Sequence, residues 1–391
     1  GLALVQGEVP PVESVVLSAA LGRVLAADQR ASLAVPPFDN SAMDGFAVRA
    51  ADVVSVPVVL RVVGESAAAS GPIPSVDQGC AVRVMTGGRL PSGADAVVPV
   101  ELTDQAPGAA PLPARVEVRE SVPAARHVRR AADDLAVGEL VLRAGDLVTP
   151  GVIAAAASVG LGVLPVTRRP RVAVVATGAE LVPPGRPLAD GEIPDSNSVM
   201  LAALATAAGA EVVAAVRSGD DPTQLAALLA GLPEADLIVT SGGVSAGAYE
   251  PLRLLGGDLE FCSVAMQPGK PQGCGRVGGV PVLAFPGNPV SAFVSFQVFG
   301  RPLLDDLAGL RHRGPVRVGR AEVGWSCPAG RRQYLPVLVR ESADGALVRP
   351  SHRRGSGSHL IASLHLADAL AVVEAEVETV AVGDQVAILQ V

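Results

Sequence analysis

The sequence predicts a multidomain α/β plus β protein: a central α/β domain with a parallel or mixed sheet, a β-rich insert domain ahead of it and a C-terminal β-barrel behind it. Three observations lead there. At 391 residues the chain exceeds the roughly 100–150 residues of a usual single core. Between Arg171 and Ser291, short continuous apolar runs alternate with helical segments, the order of a βαβ series. On both flanks of that series the apolar runs are short, rich in Val and interrupted by Gly/Pro turns, as in small β domains.

The elements follow in chain order. Val12, Val15, Val16 and Leu17 fit one face of a helix over residues 11–21, with Gly22 as its stop. From Phe38 to about Val137, runs at residues 56–63 and 96–100 read as strands, with residues 106–113 as a loop. The most apolar segment, residues 151–166, is Ala/Gly-rich and broken by Pro165. It is shorter than a membrane span and reads as a buried helix. Residues 171–176 (RVAVVA) suit a strand buried on both faces. Residues 198–208 read as a helix closed by Gly209, and 211–216 as the next strand. Asp221 at N-cap, Pro222 at N1 and Gln224 at N3 open a helix that runs to Gly231. Strands at 236–239 and 281–285 follow, the second leading through Pro286-Gly287-Asn288-Pro289 into a helix from Ser291. Beyond Gly314 the runs 316–323, 334–339, 346–348, 369–373 and 386–391 read as strands of a compact barrel. The expected division is 1–37 with 138–167 as a discontinuous linking and dimerisation segment, 38–137 as the β-rich insert, 168–310 as the α/β domain and 314–391 as the barrel.

Composition narrows the function. With 49% hydrophobic and 18% charged residues, intrinsic disorder is excluded. A formal net charge of -8 argues against a non-specific binder of nucleic acid or of anionic membranes, so any anionic ligand must be met by a focused site. Cys80, Cys262, Cys274 and Cys327 lack CxxC spacing, which suits a reducing compartment and neither a zinc site nor a disulfide framework. No basic stretch followed by an apolar run and cleavage site is visible near Gly1, and the expected location is cytoplasmic.

In an open α/β sheet, ligands lie outside the carboxyl ends of the strands. The predicted strands end in Thr177-Gly178-Ala179-Glu180, Ser218-Gly219-Asp220-Asp221, Thr240–Gly247 and Pro286–Pro289, which together describe a pocket. In the third loop Gly242, Gly243 and Gly247 permit close backbone approach, while Thr240, Ser241 and Ser245 offer hydroxyls, a combination suited to phosphate or another tetrahedral oxyanion. A tight structural turn would have the same composition, and the loop is neither a Walker A nor a GxGxxG motif. Glu180, Asp195, Asp220, Asp221 and Glu250 would repel a bare polyphosphate; Mg²⁺ reconciles them with it, because it takes one or two carboxylates plus substrate phosphates. Asp221 serves equally as a helix cap alone, and Glu250 as a solvated charge. Lys270, the only lysine in the chain, stands between two prolines and would give an anion a point charge.

The motifs PPFDNSAMDGFAVR (residues 36–49), RVMTG (83–87), VRRAADDL (128–135), TGAEL (177–181), DSNS (195–198), TSGGVSAG (240–247), PGKP (268–271), PGNP (286–289) and GSGSHL (355–360) span nearly the whole chain. In this order and spacing they resemble the molybdopterin molybdenumtransferases, a family that includes the gephyrin E domain. The resemblance implies an elongated homodimer in which the insert of one subunit, carrying Asp44, Thr86 and Asp134, faces the α/β domain of the other. It implies insertion of molybdate into adenylylated molybdopterin, with Mg²⁺-dependent cleavage of the pyrophosphate and release of AMP. Asp44, Thr86, Asp134, Glu180, Asp220, Glu250 and Lys270 would form the catalytic set, with Glu180, Asp220, Asp221 and Glu250 around the metal. Thr177, Gly178, Asp195, Asn197, Thr240, Ser241, Gly242, Gly243, Ser245, Gly247, Pro286, Gly287, Asn288 and Ser358 would bind the molybdopterin ligand. Molybdate needs Arg, Ser or backbone donors, and Ser358 with Arg353 or Arg354 is a candidate set. Expected partners are a second copy of the chain, a molybdopterin adenylyltransferase and maturation factors of molybdoenzymes, with no nucleic acid and no membrane.

The chain departs from the family at Glu250, where many members have Asp, and at Gln267, where many have Lys, so one expected anion contact is neutral. Two rival readings are the related adenylyltransferase, which is essentially the α/β domain alone, and a scaffold without catalysis. The insert and barrel weigh against the first. Asp44, Glu180, Asp220 and Lys270, which a scaffold would not need, weigh against the second.

Overall fold

The computed structural model describes residues 9–67, 71–108, 110–244, 251–254, 258–310, 317–343, 345–352 and 357–391. The β-rich part contains a five-stranded sheet in the order Ala96–Pro99, Gly45–Val48, Cys80–Val84, Val58–Ser66, Arg115–Val118. Strand alternation sends Phe46, Leu60, Val98 and Val116 into one core, and Ala47, Val82, Val84 and Val97 into a second on the other face. No described α-helix covers this sheet; a 3₁₀ turn, Ala50–Val53, packs on one face and the loop bearing Val76 on the other.

The helix expected over residues 11–21 is a strand, Val12–Val16, followed by a single 3₁₀ turn, Leu17–Ala19. The valines at 12, 15 and 16 match both a helical face and a β-branched strand, and a distant partner decides: Val12–Val16 pairs antiparallel with Val163–Thr167. That partner also corrects the expected buried helix at 151–166. The helix covers only Pro150–Ser158, opened by Pro150 at N1 and by Thr149, whose hydroxyl accepts from Val152 N at 3.3 Å, and Ala156 is its one buried residue. Gly160, at φ +83°, turns the chain back so that Leu164 and Val166 pack with Leu25, Leu142 and Val148.

The central sheet runs Glu211–Ser218, Arg171–Thr177, Leu237–Ser241, Val280–Phe285, all parallel, and continues antiparallel through Pro271–Val277 to Asp258–Ser263. Val172 and Val174 point into a core shared with Leu201, Phe285 and Phe296, while Ala173 and Val175 point into another with Leu225, Ile238 and Leu252. Helix Asn197–Ala207 thus lies on one face and Pro222–Ala230 on the other, while Pro289–Ser295 packs with Met200 and Leu204 of the first helix and with Tyr334 and Leu370 of the barrel. The sheet is therefore mixed, with Pro271–Val277 its one antiparallel strand among the described residues, and that strand carries no apolar run that would announce it. Gly275 explains the composition: a Cβ there would fall 1.9 Å from Asp258 O.

The C-terminal strands Arg317–Ala321, Arg332–Ser342, Gly345–Pro350, Ala369–Val373 and Gln385–Gln390 close into a barrel, because Arg332–Ser342 pairs with both Gly345–Pro350 and Ala369–Val373. Leu335, Val337, Val348 and Ile388 fill it. A sixth, two-residue strand, Met266–Gln267, comes from the α/β part and pairs parallel with Arg332 and Gln333. Among the described residues no helix is long and apolar enough to cross a membrane.

Candidate active site at the carboxyl edge of the sheet

The four loops anticipated from the strand ends meet in one cavity of about 580 Å³. Thr177, Gly178 and Glu180 line it from the first loop, Asp220 from the second, Ser241, Gly242 and Gly243 from the third, and Pro286, Gly287 and Asn288 from the fourth; Asp195 and Asn197 complete the expected lining. Glycine is required at the third loop. Gly242 and Gly243 have φ of +92° and +70°, and a Cβ at Gly242 would lie 2.5 Å from Thr177 O. Gly178 has a different reason: a Cβ would meet the Glu180 carboxylate at 2.6 Å, so that carboxylate folds back over the glycine.

Asn197, at the start of its helix, braces the walls. Its Nδ2 donates to Ser241 Oγ at 2.7 Å and to Gly287 O at 2.6 Å. Since Gly287 O can only accept, the amide orientation is fixed, and Ser241, acting as acceptor here, keeps its own hydrogen for another partner. Asn197 Oδ1 is buried with no hydrogen-bond partner among the described residues, a spare acceptor in the wall.

The carboxylates differ in commitment. Asp195 is fully buried; Oδ1 accepts from Ser198 N at 2.9 Å, Oδ2 from Ser198 Oγ, and Arg217 Nη1 lies 3.7 Å from Oδ2. Asp221 caps its helix by accepting from Thr223 N at 2.8 Å and stands outside the lining. Glu180 and Asp220 face the cavity.

Other expected site residues lie elsewhere. Thr240 projects from the opposite face of its strand to Ser241, beside Ile238, with its hydroxyl buried and without a hydrogen-bond partner among the described residues. Lys270 is exposed next to Pro271, which lines the cavity. Ser358 O accepts from Val290 N at 3.1 Å, placing it beside the helix that follows the fourth loop. Asp44 and Thr86 are hydrogen bonded to each other in the β-rich part, where Asp44 and Arg83 line a separate cavity of about 350 Å³. Asp134 is held there by its N–H to Val35 O at 2.9 Å, in a loop where Asp39 accepts from Arg130 Nη1 at 2.6 Å and Ala131 N at 2.8 Å. Those two bonds hold the Asp39 carboxyl below its ordinary range, the Ala131 amide first. Within the chain, these insert residues do not join the α/β cavity. Ser245, Gly247, Glu250, Arg353 and Arg354 lie outside the described residues.

Sequence reasoning missed an apolar wall, Leu181, Ile193 and Pro194, formed where Leu181–Val182 pairs with Ile193–Pro194. The one signal is an isolated Ile in the polar run DGEIPDSNS. It also missed the buried Gln272.

A glycine-cornered pocket at a parallel-sheet edge, with carboxylates in its wall and both an insert and a barrel attached to the same chain, defines a multidomain α/β plus β enzyme. Residues 2–160 match the MoeA N-terminal region (domain I and II), 173–306 the probable molybdopterin binding domain, and 318–391 the MoeA C-terminal region (domain IV). The chain belongs to the molybdopterin molybdenumtransferase family and is a transferase. It is 43% identical over 389 residues to molybdopterin molybdenumtransferase 2 of Mycobacterium tuberculosis, covering 95% of this chain and 93% of that one. It is 35% identical over 312 residues to the Bacillus subtilis molybdopterin molybdenumtransferase, covering 76% and 70%. The crystal structure of a molybdopterin biosynthesis MoeA protein from Pyrococcus horikoshii is similar with a TM-score of 0.82 at 30% identity, covering 100% of this chain and 96% of that one.

Proposed function

We propose that the protein inserts molybdate into adenylylated molybdopterin and releases AMP, and that the carboxyl-edge cavity is where the pyrophosphate is bound and cleaved. The observation that supports this most is the joint presence, in one cavity, of the Gly242-Gly243 corner, a donating Ser241 hydroxyl and the Glu180 and Asp220 carboxylates. The hydroxyl and the loop backbone would hold phosphate oxygens. An oxygen of molybdate or of water forms the new P–O bond as the bond between the phosphates breaks, so no protein nucleophile is required.

The donor set fits Mg²⁺. Among the described residues no three His, Cys, Asp or Glu side chains are grouped as a self-sufficient metal site. Two carboxylates facing a phosphate pocket are the arrangement Mg²⁺ takes when substrate oxygens complete its shell. When bound by Glu180 and Asp220 it would neutralise charge on the departing phosphate. Glu250 would join them, and Lys270 would meet the anion from the rim.

The reading includes a homodimer. Asp44, Thr86 and Asp134 would reach a partner's cavity, which accounts for their distance from the cavity of their own chain. Ser358, with Arg353 or Arg354, would receive molybdate; the protein would work in the cytoplasm, with a molybdopterin adenylyltransferase and molybdoenzyme maturation factors as transient partners. The division at 1–37/138–167, 38–137, 168–310 and 314–391 is proposed with it.

The test is AMP release from adenylylated molybdopterin with Mg²⁺, with and without molybdate. Release that needs molybdate and is lost in Glu180→Ala supports the proposal; tight substrate binding without turnover in the wild type sinks it.

A further inference from the structure

The turn that carries Lys270 is held by a residue that no motif draws attention to. Gln272 is 6% exposed, and its Nε2 donates to Gly269 O at 2.7 Å and to Ser295 Oγ at 2.7 Å. Both amide hydrogens are thereby used, one on the turn and one on the helix Pro289–Ser295, whose first residue lines the cavity. Pro271, between Lys270 and Gln272, lines the same cavity. At Gly269, φ is +105°, and a Cβ would stand 3.1 Å from Ser295 Oγ and 3.3 Å from Gln272 Nε2, so the backbone of the turn rests directly on this brace. The far side is fixed by backbone bonds: Val264 N donates to Lys270 O at 2.8 Å, and the barrel's Arg332 N to Ala265 O at 2.9 Å. Burying a primary amide in a strand is unfavourable unless its hydrogens are satisfied, and here one hydrogen is satisfied by the turn that carries Lys270 and the other by the last residue of the helix Pro289–Ser295.

We propose that Gln272 is a positioning residue for Lys270: it sets the Gly269–Pro271 turn against the helix from the fourth loop and so aims the chain's only lysine side chain at an anion in the cavity. The inference rests on the reading of Lys270 as an anion-binding group, given above.

Because Lys270 is the only lysine, lysine labelled with ¹³C at Cε yields one side-chain resonance, which reports the turn independently of turnover. The probe ligand is inorganic pyrophosphate with Mg²⁺, its affinity measured by calorimetry. Gln272→Met, close in size but without donors, is expected to move the Lys270 resonance in the free protein and to weaken pyrophosphate binding about tenfold, as loss of an orienting hydrogen bond does. Ser295→Ala, which leaves the Gly269 bond, is expected to act in the same direction and less, and serves if Gln272→Met does not fold. Lys270→Ala combined with Gln272→Met is expected to bind no more weakly than Lys270→Ala alone. Wild-type affinity in both Gln272→Met and Ser295→Ala while Lys270→Ala is weakened, or additive losses in the double variant, overturns the inference and leaves the Lys270 reading intact. Unchanged affinity in Lys270→Ala overturns that reading and the inference with it.

Discussion

The carboxylate of Asp44 accepts two hydrogen bonds from a single residue, Thr86: from its backbone N–H at 2.6 Å and from its hydroxyl at 2.8 Å. The backbone bond contributes most, then the hydroxyl, and together they hold the Asp44 carboxyl below its ordinary range. A lowered folded-state value means that the contribution to stability is present above the unfolded value of about 3.9 and is lost as pH falls through the folded one. Thr86→Val keeps the backbone bond and removes the hydroxyl. The Asp44 titration, followed by NMR, is expected to move upward in this variant, and any acidic limb of the turnover profile that depends on Asp44 should move with it. An unmoved titration would show that the backbone amide alone sets the group.

Neighbouring aspartates at the second loop should separate cleanly. Asp221 caps its helix through Thr223 N, so Asp221→Ala is expected to cost about 1 kcal/mol in urea unfolding while AMP release continues. Asp220 lines the cavity, and Asp220→Ala is expected to lose Mg²⁺-dependent release with unfolding unchanged. The reverse pattern would exchange their roles.

Gly242→Ala is expected to damage both fold and binding. The new methyl would meet Thr177 O at 2.5 Å from a residue at φ +92°, and such backbone strain costs about 1–3 kcal/mol. Thermal unfolding together with pyrophosphate affinity checks this; wild-type values in both would mean that the loop relaxes without consequence.

Asn197→Ala removes the donors to Ser241 Oγ and Gly287 O and is expected to destabilise the protein by about 1–3 kcal/mol. Asn197→Asp is the sharper variant. A carboxylate would accept the Ser241 hydrogen, so the hydroxyl would turn a lone pair towards the cavity, and anion affinity should fall further than in Asn197→Ala. Equal affinities in the two variants would exclude any dependence on the direction of that hydrogen.

Much of this was legible in the sequence, and the remainder was hidden for identifiable reasons. Arg171–Thr177 could be read because a strand buried on both faces needs an unbroken apolar run, and the cavity loops because glycine and proline mark sharp turns next to such runs. Residues 11–21 suit a helix as well as a strand because Val12, Val15 and Val16 satisfy both periodicities, and only Val163–Thr167, far along the chain, settles the choice. Pro271–Val277 is not legible because glycine replaces apolar side chains there: the Phe261 ring lies over Gly273 and the backbone of Asp258 against Gly275. Thr240 and Ser241 both offer hydroxyls, but period-two alternation puts them on opposite faces of the strand. The commitment of Asp195 to Ser198 and Arg217, and the brace at Asn197, depend on which side chains meet in space.

The register of Val12–Val16 against Val163–Thr167 also sets an order of events on the ribosome. The partner strand is made roughly 150 residues later, about 10–30 s at ordinary rates of synthesis. During that interval the five strands between Gly45 and Val118, which carry their own cores, are all translated, while Val12, Val15 and Val16 are without the strand they pair with. The first described strand is thus paired only after the five-stranded sheet has been translated, so a nascent chain halted before Val163 would leave Val12–Val16 without its partner.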